Sequence, residues 1–208
     1  MNYEILYSFI VATIALAFAP GPDNIYVLTQ SIVNGKKYGV VTTLGLISGC
    51  LVHTALLAFG VSALIKESNI LFFTIKLFGA FYLFYLAYQV FKSSEEIDMT
   101  VSFVNKQSLL KVYKQGFLMN LLNPKVAIFF LAFFPGFLFS DSLSTVIQFG
   151  ILGFIFIITA FVVFSLIAFL SGSLAKFLKE NKNFRVFLKW LQIVVFTGIG
   201  LYLLFSNK

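Results

Sequence analysis

Apolar residues run along this chain in blocks too long for a helix that faces water. No charged residue occurs from Gly39 to Leu64 or from Thr145 to Ala175. Blocks of roughly 20 apolar residues match a hydrocarbon layer of roughly 30 Å at about 1.5 Å per helical residue. Within the blocks the residues are apolar on all sides, whereas a membrane strand alternates apolar and polar over about ten positions. The pattern predicts an all-α, polytopic membrane bundle of six spans: Tyr3–Thr29, Gly39–Leu64, Ile70–Phe91, Gln115–Ser140, Thr145–Ser171 and Val186–Phe205.

Two of these spans carry an interruption. Span one contains Pro20-Gly21-Pro22-Asp23-Asn24, and span four contains Asn120-Leu121-Leu122-Asn123-Pro124-Lys125. Proline removes a backbone donor and clashes with the preceding turn, so each sequence ends a helix. Each also reads as a restart, with Gly21 or Asn123 as the N-cap and Pro22 or Pro124 as the first helical residue. Asp23 and Asn24 then fall in a first turn, where the helix dipole favours a negative group.

Pro22 and Pro124 stand 102 positions apart, close to half of the 208 residues. Gly45 and Gly49 of span two have counterparts in Gly150 and Gly153 of span five, and small residues let helices approach closely. The expected organisation is one transmembrane domain over 1–208. It comprises a repeat over 1–91, a polar cytoplasmic linker over 92–114 and a second repeat over 115–208. Three spans per repeat make the halves inverted, with broken helices 1 and 4. Matched interruptions in inverted halves point to the central site of a transporter. Prolines that merely kink helices for packing are the plain alternative.

Charge orients the spans. The loops after spans one, three and five hold eleven Lys and Arg residues, from Lys36 to Lys189, against Lys66 and Lys208 on the other side. Positive residues favour the cytoplasm, so the odd loops are expected inside and the C-terminus outside. Composition agrees: 60% of residues are hydrophobic, 11% are charged, and mean hydropathy is +0.96. In a soluble protein the net charge of +7 would suggest nucleic acid; here the loop bias accounts for it, and no nucleic-acid partner is expected. Ala17-Phe18-Ala19 resembles a signal-peptidase site. Glu4 precedes it with no Lys or Arg, and Pro20 follows, so a retained first helix is expected.

The same residues carry a family resemblance. Pro20-Gly21-Pro22-Asp23-Asn24 with Gly35, Gly39, Gly45 and Gly49 resembles the signature of the LysE/RhtB amino-acid exporters. Gly116-Phe117 through Asn120 to Lys125, then Phe129-Phe130 and Phe133-Phe134-Pro135, resembles that family's second motif. Lys76, Gly79, Tyr82 and Leu83 resemble its third-helix pattern. The resemblance spans essentially the whole chain. It implies export of an amino acid or related metabolite across a bacterial cytoplasmic membrane, usually driven by the proton gradient and without ATP or another cofactor.

Asp23 is the only acid well inside a span, and a carboxylate in hydrocarbon normally faces a cavity or a partner. It is a candidate for the substrate ammonium, for a transported proton, or for both in turn; a structural carboxylate held by the restarting helix's amides is the alternative. Lys125, with the amides of its own helix start, suits a substrate carboxylate. Direct pairing with Asp23 and snorkelling to an interface are its other readings. Asn24, Asn120 and Asn123 donate and accept in a cavity, although Asn123 also suffices as a helix cap. His53 suits either a proton relay or a hydrogen-bonded packing role. Lys76 reads as snorkelling, and nothing in the sequence places Tyr82 or Gln89 on a pathway.

Other classes fit less well. An intramembrane hydrolase needs a nucleophile with a base, and a metal-dependent transferase needs clustered carboxylates. One histidine and one embedded acid supply neither, nor the ligand set of a metal exporter, so no metal is expected. Cys50 is the single cysteine and cannot form an internal disulfide. A channel or scaffold in the bilayer stays open as a reading. A homodimer suits six small helices, which make a thin wall around a pathway.

Overall fold

The computed structural model describes residues 2–19, 21–63, 69–93 and 107–205. Pro20, most of the expected linker, and Lys66, Lys106 and Lys208 lie outside the described residues. Every regular element among the described residues is helical: α1 Tyr3–Phe18, α2 Pro22–Asn34, α3 Lys36–Ala55, α4 Asn69–Lys92, α5 Leu109–Leu121, α6 Pro124–Ile128, α7 Thr145–Phe169, α8 Ser171–Glu180 and α9 Lys182–Phe205. A π-turn, Leu56–Val61, extends α3. A second π-turn, Phe129–Phe133, and a 3₁₀ turn, Phe134–Phe137, extend α6.

Four helices are long and apolar enough to cross a membrane, and two bent pairs raise the count to six if each pair is one span. The pair α1/α2 bends by 58°, and α5 bends by 50° against Pro124–Phe137. Several hydroxyls within the helices bond back to the carbonyl one turn earlier, as bilayer burial favours. Ser31 donates to the Val27 carbonyl at 2.7 Å and Thr43 to the Gly39 carbonyl at 3.0 Å.

Two helix starts and one additional helix stand out against the hydropathy reading. Helix α5 starts at Leu109 rather than Gln115, because Ser108 caps it by accepting from the Lys111 amide at 3.4 Å. Helix α9 starts at Lys182 rather than Val186, with Asn181 accepting from the Phe184 amide at 3.0 Å. Between spans five and six lies an additional helix, α8, which buries Ser171 and Leu178 while Lys176 and Lys179 stay exposed. Arg185 closes its end by donating to the Leu178 carbonyl at 2.6 Å.

Helix α3 packs most extensively on α5, and α9 on α4. The α3–α5 seam is backbone to backbone: a Cβ on Gly45 would lie 2.2 Å from the Tyr113 carbonyl oxygen, and one on Gly116 would lie 2.7 Å from that of Thr42. Gly153 likewise sits against Thr54, but nothing lies within 4 Å of a Cβ built on Gly150. The expected parallel between Gly45 and Gly150 therefore fails, since only Gly45 meets a neighbouring backbone.

The core around the second bent pair is aromatic. Phe129, Phe130, Phe133, Phe134 and Phe137 are buried with Phe9 of α1 and Phe156 of α7. Ring centroids lie 4.4 Å apart for Phe129–Phe133, 4.3 Å for Phe130–Phe134 and 5.0 Å for Phe9–Phe134. Such stacks contribute about 0.5–1.5 kcal/mol per pair beyond their burial. The same region ties together the ends of the bent pairs that lie away from the breaks, because the Asn2 amide donates to the Phe139 carbonyl at 2.8 Å.

Candidate functional site

Local chemistry at the two breaks builds the site. Gly21 precedes α2 in an extended conformation (φ −156°, ψ 179°), Pro22 opens the helix, and no side chain caps it. Asn24 instead reaches back across the break, donating from Nδ2 to the Ala17 carbonyl at 2.7 Å. That carbonyl lies at the end of α1, where helical donors run out.

The second break is more completely closed. Asn123 accepts at Oδ1 from the Lys125 amide at 3.0 Å, and its own carbonyl accepts from the Val126 and Ala127 amides, both at 3.1 Å. Pro124 has no amide hydrogen. The amides of this helix start are thus already occupied, which leaves the Lys125 ammonium rather than the backbone as its partner for an anion.

Asn123 also joins the breaks. Its Nδ2 donates to Oδ1 of Asp23 at 3.1 Å, so a single side chain holds the start of α6 and the first turn of α2. Asp23 is 6% exposed, and Asn120 is buried beside it on the last turn of α5. The Asn120 side chain accepts from the Cys50 thiol of α3 at 3.5 Å.

Asp23 and Lys125 line one cavity of about 40 Å³, room for about three waters. Gly21, Pro22, Asn24, Asn120, Asn123 and Cys50 contribute the rest of its polar side. Leu16, Ala17, Val126, Phe156, Ala160 and Phe164 form its apolar wall. Lys125 turns inward: Nζ lies 4.9 Å from the Phe196 ring centroid and 3.2 Å from where a Cβ on Gly21 would stand. A cation over an aromatic face gains about 0.5–2 kcal/mol, more when water is excluded.

The breaks therefore bring together Asp23, Asn24, Asn120, Asn123 and Lys125, with Gly21 and Pro22 in the wall and Pro124 at the start of α6. His53 is buried on α3 and touches the Asn120 backbone, one layer behind the cavity lining. Lys76 is 7% exposed and covered by protein. Tyr82 and Gln89 do not line the cavity, and Gln89 is exposed. Sequence reasoning missed Cys50 as a lining residue and missed the α7 wall. The i, i+4, i+8 spacing of Phe156, Ala160 and Phe164 was the available signal. No group of three or more His, Cys, Asp or Glu able to hold a metal occurs among the described residues.

Apolar helices, two of their pairs bent around a small cavity that an acid, a lysine and three asparagines help to line, fit a multi-pass membrane transport protein. The LysE type translocator family model matches residues 14–207, and the chain belongs to that family. Its members are transporters rather than enzymes.

The homoserine/homoserine lactone efflux protein of Salmonella typhimurium is 29% identical over 185 residues, 89% of each chain. A protein of the same description from Salmonella typhi is also 29% identical over 185 residues. The leucine efflux protein of Salmonella choleraesuis is 28% identical over 152 residues, which cover 73% of this chain and 70% of that one. No solved structure matches the chain.

Proposed function

We propose that this protein exports an amino acid or closely related metabolite from a bacterial cell, across the cytoplasmic membrane, in exchange for a proton. One observation carries the reading: an acid and a lysine from two separate helix breaks face the same small, largely buried cavity. A zwitterion has the matching charges, with its ammonium toward Asp23 and its carboxylate toward Lys125, and the three asparagines supply hydrogen bonds. The efflux proteins to which the chain is similar are named for homoserine, homoserine lactone and leucine, solutes of this size and class.

Asp23 alternates between substrate and proton. A carboxylate this buried is costly without a positive partner, so release of the substrate ammonium favours uptake of a proton. The cavity of about 40 Å³ is small, and the reading takes this conformation as a closed one between loading and release. Alternating access then moves the half over 1–91 against the half over 115–208, with odd loops cytoplasmic and the C-terminus outside. The linker over 92–114 joins the two halves.

The test is uptake of labelled L-homoserine and L-leucine into inverted membrane vesicles, with and without an uncoupler. Uptake that requires both the protein and an inward-acid gradient supports the reading. Flux indifferent to the uncoupler would remove the proton from the mechanism and favour a channel or uniporter.

A further inference from the structure

The Asn120 carbonyl is the acceptor that Pro124 leaves without its helical donor, because a proline at position i removes the bond to residue i−4. In the structure that oxygen accepts from the Asn123 amide at 3.1 Å and from Nε2 of His53 at 3.3 Å. A carbonyl only accepts, so Nε2 must carry a hydrogen. His53 comes from the neighbouring helix α3, 67 residues away in sequence. Its ring is 7% exposed and tilts against Phe130 at 5.4 Å between centroids. One turn earlier on α3, the Cys50 thiol holds the side-chain oxygen of the same asparagine at 3.5 Å. Gly49 allows this grip, since a Cβ there would lie 2.5 Å from the Asn120 side-chain oxygen.

We infer that His53 is a positioning residue, which replaces the donor lost at Pro124 by capping the Asn120 carbonyl and thereby fixes the second break against α3. Its work is done by a hydrogen bond and not by carrying a proton. The Asn123 amide gives this carbonyl one bond from its own turn, and His53 adds a second from across the α3–α5 seam, on the lone pair that the missing Pro124 amide leaves open. The device resembles what Asn24 does for the Ala17 carbonyl at the first break, except that the donor comes from a helix outside the bent pair.

This inference rests on the transport reading only for its effect on flux, and the bond itself is testable without transport. The full-length protein is purified with His53→Phe, His53→Gln, Pro124→Ala and the double change His53→Phe/Pro124→Ala, and its melting is followed. Phenylalanine keeps the packing on Phe130 without the donor, glutamine keeps a donor, and alanine at 124 restores a backbone amide to the Asn120 carbonyl.

His53→Phe should lower the melting temperature by about 2–4 °C, and the same change made on Pro124→Ala should lower it by clearly less. In vesicles, L-homoserine uptake should fall about tenfold in His53→Phe and keep at least half its value in His53→Gln. The same drop in both backgrounds, or no drop in either, would overturn the capping role. Loss of proton-driven uptake in His53→Gln with unchanged melting would also overturn it, in favour of a proton relay. If the unaltered protein moves neither L-homoserine nor L-leucine, the proposed substrate class fails while the melting comparison still decides this inference.

Discussion

The two breaks use nearly the same residues and are finished differently. At the first, α2 starts without a side-chain cap, offers the buried Asp23 carboxylate in its first turn, and continues as regular helix for 13 residues. At the second, Asn123 occupies the starting amides, His53 supports the carbonyl stranded behind Pro124, and only five α-helical residues follow. The backbone then widens and tightens through Phe129–Phe137, where stacked phenylalanines hold it. A proline break thus has two separable consequences: freed polar groups that can serve a ligand, and freed polar groups that must be tied off. Break one keeps more of the first kind, and break two is mostly the second. The division predicts that chemistry is concentrated at Asp23, whereas Lys125 and Asn123 govern binding and geometry.

The largest effect sharpens that division directly. Asp23→Asn should reduce proton-driven uptake into inverted vesicles to background, at least a hundredfold, while the protein still inserts. Lys125→Met should leave turnover within severalfold and raise KM about thirtyfold, as removal of one charged hydrogen bond of about 2 kcal/mol implies. Equal collapse of turnover in both variants would show that the two breaks share the chemistry.

Much of this was legible from residue order. Pro20-Gly21-Pro22 and Asn123-Pro124 announce breaks because proline chemistry is local, and Asp23 announces a polar site because charge in hydrocarbon needs a reason. The length of the apolar blocks likewise sets the spans. What was illegible depends on neighbours. His53 and Asn120 are 67 residues apart, and nothing in either local sequence says that α3 and α5 touch. The π-turn over Phe129–Phe133 has no sequence mark of its own, because a run of phenylalanines suits any apolar helix. Helix α8 was missed for another reason: its lysines read as a loop, although Ser171, Leu174 and Leu178 lie at helical spacing. Gly150 shows the opposite error, a spacing match to Gly45 without a helix pressed against it.

The caps provide the next comparison, of intermediate size. Asn123→Ala removes the N-cap of α6 and the bond to Asp23 together, for a cost of about 2 kcal/mol, or about 4–8 °C of melting temperature. Asn24→Ala removes only the bond to the Ala17 carbonyl and should cost about half as much. Thermal melting of the purified proteins measures both. If Asn24→Ala proved the more damaging, the first break would be the tied-off one and the assignment would be reversed.

The smallest effect is expected where the breaks come closest. Gly21 looks like a residue chosen for its backbone, but its φ of −156° is open to any amino acid. A Cβ there would stand 3.2 Å from Nζ of Lys125 and 3.9 Å from the Ala19 carbonyl oxygen. The nearer atom is the tip of a flexible side chain, which can withdraw by a few tenths of an ångström. Gly21→Ala should therefore shift the melting temperature by no more than about 1 °C. It should also raise the KM for L-homoserine about twofold, because the ammonium is displaced from the cavity. A loss of several degrees would mean that the first break depends on the glycine backbone itself. An unchanged KM would mean that the position of Lys125 against the start of α2 does not matter to substrate, and the two breaks would not form one site.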